Sequence, residues 1–130
     1  MKTVVLCFGN EFVEMDKLPI VLYKELKDKI PDVEFILCES LNEILDYSNH
    51  ERVFILDTVK GIQDVSIIYN IELLKERKIY TPHDFDLSLY LKLINRMKKI
   101  KNLRIIGIPV GYDKEKAKEK IKKLLNKLDF

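Results

Sequence analysis

Three side chains in this sequence have the types and positions that a divalent metal site needs: Asp16, Asp57 and His83. Asp57 follows the apolar run 53–56, and Asp16 stands where the first amphipathic segment begins. His83 lies in the helix start YTPHDF, where the positive end of a helix dipole favours the neutral imidazole that binds metals. One nitrogen and two carboxylate ligands with open positions suit nickel, zinc or iron.

Each of these residues also has a purely structural explanation. A strand-end acid such as Asp57 often caps the next loop, and Asp16 is a suitable N-cap for the helix that follows it. His83 stands beside a helix cap that Thr81 and Pro82 form without it. The metal hypothesis therefore depends on all three residues lying at one place in the fold.

Short apolar runs alternate with amphipathic segments along the chain. Strands are predicted at 3–8, 33–38, 53–57, 65–71 and 103–108, the fourth of them at a sheet edge. Helices are predicted from residue 18 to before Pro31, after Ser40, from Thr81 to about Lys98, and near the C-terminus. Apolar strands separated by helices indicate a parallel sheet covered on both faces. We expect one domain over residues 1–130 with an α/β fold: a three-layer α/β/α sandwich with a mostly parallel sheet of about five strands.

Ligands of such sheets bind beyond the carboxyl ends of the strands. This rule brings the three candidate ligands to the same edge. Cys7 and Cys38 end neighbouring strands there, and we expect both to be small buried hydrophobic residues. His50, in the polar turn SNHER, is expected to face solvent.

Charge and composition narrow the function classes. The chain has 23 basic and 21 acidic residues, which argues against a nucleic-acid or membrane partner. No apolar run approaches the roughly 18 residues of a membrane span, and two cysteines fit a reducing compartment. We therefore expect a cytoplasmic protein. The lysine-rich last helix is interpreted as a solvated face, with partner docking as the alternative.

These motifs resemble those of the hydrogenase maturation endopeptidases, small α/β proteins that remove a C-terminal extension from the nickel-containing large subunit of hydrogenases. The segment LCFGNEFVEMDKLPIVLYKEL aligns Asp16 with the family's first acidic ligand, usually a glutamate. VFILDTV aligns Asp57 with the second acid, and TPHDFDLSLYL aligns His83 with the family histidine. IIGIPVG is similar to the family's last strand and turn.

The resemblance implies an endopeptidase whose partner is a hydrogenase large-subunit precursor. Asp16 and Asp57 would be catalytic, and with His83 they would bind nickel that arrives with the substrate; another divalent metal would also suit this ligand set. A divergent methanogen-type branch is implied. The sequence departs from the family in its shorter acid at position 16 and in CESL at 38–41, where Asp-Gly-Gly-Thr is common.

Two alternatives remain open. VFILDTVKG also resembles the phospho-acceptor strand of a receiver domain, with Asp57 as acceptor. A receiver needs paired acids after the first strand and a lysine before the proline that follows the last strand. In this chain, residues 8–10 after the first strand are Phe-Gly-Asn, and Ile108 precedes Pro109. The other alternative is a non-catalytic hydrogenase assembly subunit on the same fold.

Overall fold

The computed structural model describes residues 3–10, 12, 14–69 and 103–127. Five strands form one sheet: β1 (Thr3–Cys7), β2 (Val33–Leu37), β3 (Arg52–Val59), β4 (Ser66–Ile68) and β5 (Leu103–Pro109). Two α-helices, α1 (Leu18–Leu26) and α2 (Lys114–Asn126), and two 3₁₀ segments, Glu14–Asp16 and Leu41–Tyr47, complete the described elements. The predicted helix from Thr81 to Lys98, with His83, lies outside the described residues.

The strand order is β2-β1-β3-β5-β4, with β4 antiparallel to β5 and all other pairs parallel. β1, β3 and β5 are buried along most of their length, which explains why their sequences are apolar without alternation. The expected α/β fold with a mostly parallel sheet of about five strands is confirmed, and so is the edge position of the fourth strand.

Each face of the sheet has its own hydrophobic core. On one face, Phe54 and Leu56 of β3 pack with Leu22 and Leu26 of α1 and with Ile121 of α2. Alternate residues of the strands point to the opposite face. There, the buried cluster is formed by Leu6, Val53, Ile55, Ile105 and Ile44, the last from the second 3₁₀ segment. Each fully buried aliphatic side chain contributes about 1.5–3 kcal/mol.

The two α-helices are joined by ion pairs as well as by apolar contacts. Glu25 of α1 accepts from the ammonium groups of Lys114 and Lys118 of α2, each at 2.9 Å. The Asp113 carboxylate caps α2 by accepting from the Lys116 N–H at 3.0 Å. The edge of the sheet where β3 and β5 end is therefore bordered by two helix starts that are fixed relative to each other.

Two local predictions were wrong. Strand β3 continues past Asp57 to Val59, because Thr58 and Val59 pair in register with the end of β5. His50 does not simply face solvent: it is half-buried, and its ring lies 5.4 Å from the Tyr47 ring, centroid to centroid. None of the helices in the described ranges is long and apolar enough to cross a membrane.

Candidate functional site

Asp57 lies within β3 rather than at its end, and its side chain is completely buried. Its Oδ1 accepts the backbone N–H of Thr58 at 2.8 Å. Its partner in β5 is Gly107, which places no side chain beside the carboxylate. Burying a carboxylate is costly unless hydrogen bonds, an opposite charge or a metal compensates it, so this position is unusual for a residue without a function.

Asp16 is the last residue of the 3₁₀ segment Glu14–Asp16 and is only 1% exposed. The structural explanation of this acid as a helix N-cap is wrong: Lys17 is the N-cap of α1, and no side chain caps it. Proline in the first turn of α1 reduces the need for a cap, because its missing N–H is one that the helix leaves unsatisfied there. The Asp16 side chain is thus buried for another reason than capping.

The segment 8–10 ties both acids to the end of β1. The Phe8 N–H donates to the Leu56 carbonyl, next to Asp57, at 3.1 Å. Two residues later, the Asn10 N–H donates to the Asp16 carbonyl at 3.0 Å. The short 3₁₀ segment that carries Asp16 also contacts β3. The two acids are therefore held near the same sheet edge by consecutive backbone contacts of one loop.

Glycine is required in this loop by space. A Cβ at Gly9 would lie 2.6 Å from the Asp16 carbonyl oxygen and 3.4 Å from side-chain carbons of Pro19 and Ile20. The first turn of α1 and the Asp16 backbone pack directly on the glycine. The glycine of the Gly-Asn pair that follows the first strand therefore leaves the space into which the Asp16 backbone packs.

Both cysteines are buried near these acids, as expected. Burial raises the pKa of the Cys7 thiol well above its usual range, and the neighbouring Cys38 and Asp57 raise it further. Burial, with Glu43 and Asp46 nearby, raises the pKa of Cys38 to about 12. Neutral thiols are poor nucleophiles and poor metal ligands, so neither cysteine is a candidate for the chemistry of the site.

The structure brings Asp16 and Asp57 to one edge, while His83 lies outside the described residues. Within the described ranges, no group of three or more His, Cys, Asp or Glu side chains could hold a metal ion. A metal site built on these two carboxylates would need a third ligand from outside these ranges, the role for which the sequence predicts His83.

Two openings flank this edge of the sheet. The β1–β2 cleft has a volume of about 470 Å³. It is lined by Phe8, Gly9, Asn10, Phe12, Ile20, Lys24, Leu37, Cys38 and Glu39. The β3–β5 cavity, of about 410 Å³, is lined by Glu14, Lys17, Leu18, Val21, Thr58, Pro109, Gly111, Tyr112 and Lys114. Both volumes fall within the roughly 300–1,000 Å³ of ligand sites.

Thr58 is the residue that sequence reasoning left out of the site. The sequence places it next to Asp57, at a strand end, but the cavity that it lines is formed by α1 and by the segment between β5 and α2. No local pattern indicates that these distant segments meet. The only sequence signal for Thr58 was its position directly after a candidate acid.

The topology excludes the receiver-like alternative. Receiver sheets have the order 2-1-3-4-5 with parallel strands, whereas here β5 lies between β3 and an antiparallel β4. Asp57 is also fully buried, so it is not placed to accept a phosphoryl group from solvent.

The fold is similar to that of the hydrogenase maturation proteases, as the sequence resemblance predicted. The solution structure of the endopeptidase HycI from Escherichia coli is similar with a TM-score of 0.70 and 19% identity, over 96% of this chain and 89% of that one. The NiFe hydrogenase maturation protease HybD from Thermococcus kodakarensis is similar with a TM-score of 0.64 and 20% sequence identity, over 98% of each chain. HybD from E. coli is similar with a TM-score of 0.68 and 16% sequence identity, over 96% of this chain and 90% of that one. No protein-family model matches the chain, and neither does any curated protein.

Proposed function

We propose that this protein is an endopeptidase that removes the C-terminal extension of a nickel-loaded hydrogenase large-subunit precursor. The observation that carries the proposal is the burial of Asp16 and Asp57 at one sheet edge, joined through the segment 8–10, in the fold of the maturation proteases. The capping roles considered for these acids do not account for them: Asp16 does not cap α1, and Asp57 lies inside a strand.

In this proposal the nickel ion is part of the substrate. Asp16, Asp57 and His83 would engage it, which would mark the precursor as loaded and position the scissile bond. A ligand set of one imidazole and two carboxylates suits nickel, and also zinc or iron. A water molecule at the same place would then attack the peptide carbonyl, activated by the metal or by a carboxylate. A methanogen-type hydrogenase as the partner stays a prediction.

Burial of the pair would contribute to this chemistry. Electrostatic interactions between a carboxylate and a cation are several-fold stronger in a site from which water is excluded than in bulk solvent. An acid held by packing also needs no reorganisation when the substrate arrives. The packing of the Asp16 backbone on Gly9 would supply this preorganisation.

The test is incubation of the protein with nickel-loaded precursor, followed by detection of the shortened large subunit by mass spectrometry. Cleavage is expected with the wild type and is expected to fall at least about 100-fold in Asp16→Ala, Asp57→Asn and His83→Ala. Asp28→Asn is the matched control, because this exposed acid has a φ of 61°, which asparagine adopts readily.

Two results would contradict the proposal. One is a precursor that stays intact with folded wild-type protein; stable binding without cleavage would then favour a non-catalytic assembly subunit. The other is cleavage that proceeds equally in the wild type and in the three site variants. A nickel-free precursor should remain uncut, which tests recognition of the metal separately from hydrolysis.

A further inference from the structure

The β3–β5 cavity is lined by sequence neighbours of both acids and shares no lining residue with the β1–β2 cleft. Glu14 and Lys17, which flank Asp16 in the sequence, border it on one side. Thr58, which follows Asp57, lines it from β3. Side chains alternate along a strand, so Thr58 faces the α1 and α2 side of the sheet while Asp57 faces the other side. A ligand in this cavity would approach the acids from the helix side.

The wall of the cavity contains a buried hydroxyl group that lacks a hydrogen bond. Thr58 is 1% exposed, and within the described part of the chain its Oγ1 has no hydrogen-bond partner. Leaving a buried hydroxyl unsatisfied is costly, and native structures rarely do so without a reason. Rotation about χ1 exchanges the positions of the hydroxyl and the methyl group, so the hydroxyl can turn toward an arriving acceptor.

The charges at the mouth of the cavity are already compensated. The Lys17 ammonium lies 2.9 Å from a carboxylate oxygen of Glu14, and Lys114 lies 2.9 Å from one of Glu25. Such a rim offers little net attraction to a free anion. Leu18 and Val21 add apolar wall on the side of α1. A neutral chain with main-chain carbonyl acceptors and small apolar side chains fits this lining better than a phosphate or a carboxylate does.

The far wall of the cavity is held in place by contacts away from the acids. The Tyr112 hydroxyl donates to Asp64, which precedes β4, and the Lys120 ammonium of α2 contacts the same carboxylate. These contacts tie the segment after β5 to the segment before β4 and to α2. The cavity is thus bounded by fixed elements and not by a loop that must first fold on the ligand.

We propose that the β3–β5 cavity is a peptide-binding subsite, in which the Thr58 hydroxyl donates a hydrogen bond to a main-chain carbonyl of the precursor beside the scissile bond. This inference rests on the proposed function and assigns Thr58 as a positioning residue. The substrate segment lies extended against α1 and the end of β5. It approaches the acids from the side of the sheet that α1 and α2 cover.

The experiment compares the wild type with Thr58→Val, which keeps the shape and removes the hydroxyl, and with Thr58→Ser, which keeps the hydroxyl. Binding to immobilised nickel-loaded precursor is measured in the cold, cleavage is measured separately, and thermal unfolding is recorded for each protein. We expect Thr58→Val to bind about tenfold more weakly, with an unchanged or higher Tm, because an unsatisfied hydroxyl is removed. Thr58→Ser should bind like the wild type.

Wild-type binding by Thr58→Val would overturn the inference, and so would a marked fall in its Tm, which would show that the hydroxyl bonds within the protein. Because binding and cleavage are measured apart, the two proposals fail separately. A wild type that binds the precursor without cutting it contradicts the proposed function, while the binding of the two variants still decides the role of Thr58. A wild type that does not bind the precursor overturns both.

Discussion

Replacing Gly9 with alanine should displace Asp16 while leaving the rest of the sheet intact. The added Cβ would stand 2.6 Å from the Asp16 carbonyl oxygen, an atom of the backbone that no rotamer change can move away. Ordinary contact begins at about 3.4 Å, so the turn carrying Asp16 must retreat by roughly 0.8 Å. The Asn10 N–H bond to the same oxygen, 3.0 Å long, would stretch or break.

The expected loss of stability follows from two contributions. Overpacking of a tight site costs about 1–3 kcal/mol, and a lost backbone hydrogen bond about 0.5–1.5 kcal/mol. Together they amount to roughly 1.5–4.5 kcal/mol, a large share of the 5–15 kcal/mol that stabilises a typical domain. Under the proposed function, a displacement of Asp16 by close to 1 Å would also lower cleavage by about 100-fold.

Urea unfolding measures the loss of stability. Hydrogen exchange at the Asn10 amide reports directly whether its hydrogen bond to the Asp16 carbonyl is lost. Gly61→Ala is the matched control: its φ of 89° makes alanine unfavourable there, but an added Cβ meets nothing within 4 Å. Gly61→Ala should lose about 1 kcal/mol and keep the Asn10 amide protected. If Gly9→Ala retains wild-type stability and full protection of the Asn10 amide, close packing of Asp16 on Gly9 does not determine the position of Asp16.

Two further predictions concern ionisable groups. The Lys120 ammonium, the Tyr112 hydroxyl and a backbone N–H lower the pKa of Asp64 to about 2, so its contribution to stability is present above the unfolded pKa near 4 and is lost as pH falls toward 2. Asp64→Asn should therefore have a lower Tm than the wild type at pH 6, and the difference should vanish near pH 2; a difference independent of pH would contradict this. The raised pKa values of Cys7 and Cys38 predict that neither thiol reacts appreciably with iodoacetamide at pH 8 until the protein unfolds, and rapid labelling of the folded protein would be inconsistent with their burial.

The sequence predicted the strands of the sheet because their local composition reflects burial on both faces. Runs such as 53–56 are apolar whatever their neighbours are, and the interleaved polar residues near 66–68 correctly indicated an edge. The end of β3 was misplaced because Thr58 and Val59 are strand residues only through pairing with β5, some fifty residues later. Local pattern carries no information about that partner.

The candidate site was predictable as a set of residues but not as a geometry. Asp16 and Asp57 were identified from their positions after apolar runs, and both lie at the expected edge. The sequence could not show that Asp16 leaves the capping of α1 to Lys17, since the 3₁₀ segment before the helix depends on packing against Gly9. The β3–β5 cavity was equally hidden, because three distant segments build it.

The position of β5 in the chain has a consequence for biosynthesis. β3 pairs with β1 on one edge and with β5 on the other, and of these three strands β5 is the last to leave the ribosome. Until residues 103–109 emerge, β3 is an open edge strand, and the part of it around Asp57 lacks the partner that encloses it. A nascent chain therefore cannot enclose Asp57 in the sheet until residues 103–109 have emerged.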